Sequence, residues 1–77
     1  MRDLPNDPDP WLADRLREIG DRVRAERLHQ NLTQEAVHLA ARIDRRTYQA
    51  LESGQNVTLS TVLRVAHVLD VPLRDLM

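Results

Sequence analysis

Read for polarity alone, the chain is a series of apolar stripes at helical spacing, separated by short polar breaks. From Pro10 to about His29, Leu12, Leu16, Ile19 and Val23 fall within about 60° of arc at roughly 100° per residue, which predicts a long amphipathic helix. Asp9 and Pro10 suit its N-cap and first turn. Gly20 inside it costs about 1 kcal/mol relative to Ala, a cost that close packing would justify. Thr33 caps a second, short helix that carries Glu35 in its first turn and runs to about Ala41. Arg42-Ile43 then turns the chain. Asp44 caps a third helix over Arg45 to Ser53, and Gly54 supplies the left-handed stop.

Thr58 caps a fourth helix. Leu59, Val62, Leu63, Val65, Ala66 and Leu69 cover more than half its circumference, which predicts a central place in the core. Ser60, Arg64 and His67 face water, and Val68 points out to something that covers it. Asp70 ends this helix, and Pro72 opens a fifth, short one with Leu73, Leu76 and Met77 on one face. The expectation is an all-α, compact five-helix domain over residues 10–77. The proline- and aspartate-rich residues 1–9 precede it as an irregular arm.

The third helix carries the candidate chemistry. Arg45, Arg46, Gln49 and Ser53 share one arc of about 100°, while Asp44, Tyr48 and Leu51 lie opposite. One side can dock on a core, and the other presents two guanidiniums and an amide. Those groups bond base edges in a major groove, Arg bidentate to guanine and Gln bidentate to adenine. A plain solvated polar face has the same composition, so this helix by itself does not decide between them.

Its surroundings do more. Leu32-Thr33-Gln34-Glu35 and Leu51-Glu52-Ser53-Gly54, at this separation, resemble the opening and ending of the repressor/Cro-type helix-turn-helix family of bacterial and phage DNA-binding proteins. The similarity continues through Val57-Thr58-Leu59, Leu63-Arg64-Val65-Ala66 and Val71-Pro72-Leu73, and covers about Ile19 to Met77. Two positions depart from the family pattern. Arg42 stands where the family prefers Gly, and His38 where it favours a small residue at the helix crossing; both bear on the angle of the third helix.

The resemblance implies sequence-specific binding of double-stranded DNA by a transcriptional regulator, as a homodimer on a two-fold operator. The second helix would lie across the phosphate backbone, with Thr33 and Gln34 as contacts. The third would enter the major groove with Arg45, Arg46 and Gln49 on base edges and Arg42 near phosphate. Asn56 and Thr58, at the start of the fourth helix, sit where free backbone N–H groups can hold a phosphate. Arg27, at the edge of the first helix's stripe, needs a partner, and the family pairs the matching Arg with the residue that is Glu52 here. In the family the terminal helix often contributes to a dimer interface, which here draws on Val68, Leu73, Leu76 and Met77. Family antitoxins use the same domain. A toxin–antitoxin role, or a protein-interaction module without DNA binding, is therefore the alternative, with a toxin or another regulator as protein partner.

Composition narrows the rest. Seventy-seven residues hold one domain with a modest core. With no cysteine there is no disulfide framework and no thiolate metal site, consistent with a reducing cytosol. No signal peptide or long apolar run stands out, so a cytoplasmic protein without membrane spans is expected. The net charge of −1 does not advertise a nucleic-acid binder, but its distribution is uneven. Residues 1–21 carry three Arg against six acids, and residues 22–77 eight Arg against six. The basic excess lies with the reading helix and the acidic excess with the arm, which receives no DNA-binding role. His29, His38 and His67 lack metal-ligand spacing, and no Gly-rich loop could cradle a phosphate. No metal, cofactor or enzymatic activity is expected. Trp11 and Tyr48 read as edge and core packing.

Overall fold

The computed structural model describes residues 9–77. They form α1 (Pro10–His29), α2 (Gln34–Ala41), α3 (Arg45–Glu52) and α4 (Leu59–Leu69), followed by a 3₁₀ turn at Leu73–Asp75. Of the expected arm, residues 1–8 lie outside the described residues.

Side-chain caps set three of the four helix starts. Thr33, Asp44 and Thr58 accept the N–H of Ala36 at 3.0 Å, Thr47 at 3.1 Å and Thr61 at 3.2 Å. Each such cap is worth about 1 kcal/mol. Asp9 works differently, because its carbonyl starts α1 while its carboxylate makes no capping bond.

All four helices stop the same way. The N–H groups of Leu32, Ile43, Gln55 and Val71 reach back to the carbonyls of Arg27, His38, Ala50 and Ala66, at 2.9–3.1 Å. This closure needs a left-handed residue just past each helix. Asn31 (φ 59°), Arg42 (φ 60°), Gly54 (φ 81°) and Asp70 (φ 57°) supply it. Gly54 does so without strain, and the short polar Asn31 and Asp70 tolerate it. Arg42 has neither advantage, and its conformation costs on the order of 1 kcal/mol.

The expected fifth helix is a 3₁₀ turn, closed by Asp75 N–H to the Pro72 carbonyl and Leu76 N–H to that of Leu73. With three residues per turn Leu73 and Leu76 eclipse one another, and Met77 falls about a third of a turn away. Leu76 turns inward and is only 2% exposed, while Met77 stays 45% exposed and Leu73 half-buried. The described chain therefore has four α-helices and a turn, not five helices.

The core comprises Val23 of α1, Val37 and Ala41 of α2, Tyr48 and Leu51 of α3, and Val62, Val65, Ala66 and Leu69 of α4, with Leu76 closing one end. Two apolar stripes are used less fully than their pattern suggested. On α4 the buried arc is centred on Val65 and Leu69, because α1, α2 and α3 all pack on that side. Leu59 and Leu63 fall beyond it and are exposed, whereas Thr61 is buried with its hydroxyl 3.0 Å from that of Thr58. On α1, packing begins at Ile19. Trp11 and Leu12, further towards the N-terminus, stay exposed instead of joining the core edge.

Candidate nucleic-acid interface

The position of α3 follows from one buried cluster centred on Glu52. Arg27 Nε donates to Glu52 Oε2 at 2.7 Å and Arg27 Nη2 to Oε1 at 3.1 Å, a bidentate pair. Gln34 Nε2 donates to Oε1 at 3.1 Å, and the Tyr48 hydroxyl donates to Oε2. Arg27 Nη1 reaches the Leu32 carbonyl at 2.9 Å. One carboxylate thus gathers donors from α1, from α2 and from α3 itself. Burial pushes the Glu52 carboxyl up, but the bonds from Arg27, Tyr48 and Gln34 outweigh it and hold the group below the usual range. Burial, together with the Glu52 carboxylate, raises the Tyr48 hydroxyl.

With Tyr48 and Leu51 locked inward, the other side of α3 must face out. Arg45, Arg46 and Gln49 are all exposed, with Ala50 half-buried between them and the next turn. At the start of α3 the Thr47 hydroxyl and amide hold the Asp44 carboxyl below its usual range. Asp44 is thereby committed to the cap.

The other predicted site residues divide around this face. Gln34 shares one shallow cleft with Arg45 and another with Gln49, so the start of α2 adjoins both ends of the reading arc. Its amide is partly committed to Glu52, which makes it a structural residue as well. Thr33, immediately before it, is exposed while its oxygen caps α2. Asn56 and Thr58 lie beside Arg46 along the opposite rim. Arg42 is not brought into this set. It is exposed at the left-handed corner and lines a separate groove with Arg64, His67 and Val68 of α4. Leu76, expected at an interface between copies, is withdrawn from that surface into the chain's own core.

Arg24 is an addition that sequence reasoning missed, and it joins Ser53, which already shares the outward arc of α3. Both border Gln34 and Gln49. Arg24 sits on the polar side of α1, and only the rotation of α1 about its axis brings it to this rim.

Four helices with an exposed, basic, cap-anchored α3 define the class: a helix-turn-helix protein whose second motif helix is presented outward. A family model described as Helix-turn-helix matches residues 23–76. The chain belongs to the Cro/C1-type helix-turn-helix family and is a DNA-binding transcription regulator. It is similar to the solved structure of the restriction-modification controller protein C.AhdI from Aeromonas hydrophila, with 35% identity and a TM-score of 0.76, over 80% of this chain and 96% of that one. No curated protein matches the sequence. Among the described residues, no helix is long and apolar enough to cross a membrane.

Proposed function

We propose that the chain binds a specific double-stranded site as a homodimer, with α3 in the major groove, Arg45, Arg46 and Gln49 on base edges, and Thr33, Gln34, Asn56 and Thr58 towards phosphate. The observation that carries this reading is the outward arc of Arg45, Arg46 and Gln49 on a helix whose opposite side is fully docked. Similarity to a restriction-modification controller supports a narrower role, regulation of the genes of a restriction-modification system.

Selecting bound sequences from random and genomic DNA tests this reading first. On the selected site, Gln49→Ala or Arg45→Ala is expected to cost about 1–3 kcal/mol, and much less on a scrambled duplex. Equal losses on both duplexes would mean that α3 only grips phosphate. Absence of salt-dependent binding to any duplex would move the chain to a protein-interaction role.

Assembly draws on Met77, which is exposed, and on Val68 and Leu73, which are half-buried. Met77→Glu places a charge on that surface without entering the core. The variant is expected to sediment as a monomer with its helical signal intact and to lose cooperative binding to a two-fold site. A wild type that is monomeric at tens of micromolar, and binds a two-fold site no better than a half-site, would remove the dimer from this reading.

A further inference from the structure

His38 occupies the crossing of α2 and α3, where the family pattern favours a small residue. Its ring is half-buried, with Nδ1 3.1 Å from the Ile43 carbonyl. A carbonyl only accepts, so Nδ1 carries the hydrogen, and in the neutral ring Nε2 holds the lone pair. Among the described residues no hydrogen bond reaches Nε2, yet no buried side-chain nitrogen lacks a partner. Nε2 therefore is not fully buried and keeps some contact with solvent. The cleft that His38 lines is formed by Gln34, Glu35 and Leu39 of α2 and by Arg45 of α3. One of these residues is assigned to phosphate and another to a base edge, so the imidazole lies between the two kinds of contact.

We propose that His38 is a further phosphate-contacting residue of the DNA interface, engaged in its protonated form. The inference rests on the DNA-binding reading above. The charged groups on the cleft are Glu35 from α2 and Arg45 from α3, which offset one another. The charged and titratable groups that α4 contributes nearby, Arg64 and His67, line a different groove with Arg42. With a neutral ring the cleft brings no net charge to a phosphate. Protonation turns Nε2 from an acceptor, which repels phosphate oxygens, into a charged donor, while Nδ1 keeps its bond to Ile43. An imidazole is the side chain that makes this change between pH 5 and 8.

The test uses sonicated genomic duplex DNA, because a phosphate contact acts on any sequence. To remove other imidazoles, His29 and His67 are first replaced by Gln. In that background affinity is expected to rise about three- to tenfold from pH 8 to pH 5.5, and the salt slope to steepen by about one. His38→Asn keeps a donor for the Ile43 carbonyl but cannot ionise. His38→Ala supplies the small residue that the crossing favours. Both are expected to bind with an affinity nearly independent of pH. Linkage also requires the His38 ring signals, followed by NMR, to titrate at higher pH when DNA is bound. Equal pH dependence with and without His38, or a His38 titration that DNA leaves unmoved, overturns the inference and leaves the DNA-binding reading standing. Failure to bind duplex at any pH removes both.

Discussion

Glu52→Ala is expected to lower stability by about 3–5 kcal/mol, because it strands the Arg27 guanidinium, 8% exposed, without its counter-charge. A chain of this length holds on the order of 4–12 kcal/mol in all, so the variant loses a large share of it. Its Tm is expected to fall by roughly 15–30 °C. Removing both charges separates desolvation from packing. Arg27→Met with Glu52→Met leaves no buried ion, and is expected to be more stable than Glu52→Ala alone. It will not match the wild type, since the Leu32 carbonyl, the Tyr48 hydroxyl and the Gln34 amide each lose a partner. A loss below 1 kcal/mol for Glu52→Ala would show that the cluster is incidental to the fold.

The same carboxylate gives the prediction its pH dependence. Its folded-state pKa lies below the ordinary value, so the stabilisation is fully present above the unfolded value of about 4.3. It is lost as pH falls through the lower, folded value. Glu52→Gln is therefore expected to flatten the acid limb of a Tm-versus-pH curve. It should also blunt reading of DNA at neutral pH, because the angle of α3 depends on that cluster.

Gly20→Ala tests the contact between α1 and the end of α3. On propensity alone Ala gains about 1 kcal/mol over Gly within a helix. Here the added Cβ would lie 2.6 Å from the Leu51 carbonyl oxygen and 2.7 Å from that of Glu52. Both are backbone atoms and cannot swing aside, so α1 and α3 must separate. The expected outcome is a net loss of about 3 kcal/mol, at the upper end of overpacking costs. Because the push falls on Glu52, the loss is expected to overlap with that of Glu52→Ala. The double variant then falls well short of the summed single losses. A stabilised Gly20→Ala would mean that the helices sit further apart than described.

The determinants that acted locally were open to reading along the chain. Thr33, Asp44 and Thr58 begin helices wherever they are followed by suitable residues, since a cap reaches only three positions on. The two faces of α3 likewise follow from a fixed rotation per residue. The Arg27–Glu52 pair was reached only through family resemblance, because residues 25 apart in sequence carry no local signal of contact.

What tertiary structure decided was which parts of each stripe found a partner. Leu59 and Leu63 read as core and lie outside, because neighbours cover only one side of α4. Leu76 read as surface and lies inside, because a 3₁₀ turn rotates it away from Met77. Arg24 joined the rim of the reading face through the rotation of α1 about its axis. Helical periodicity determines how side chains are arranged about an axis, whereas the rotation of that axis against its neighbours depends on contacts distant in sequence.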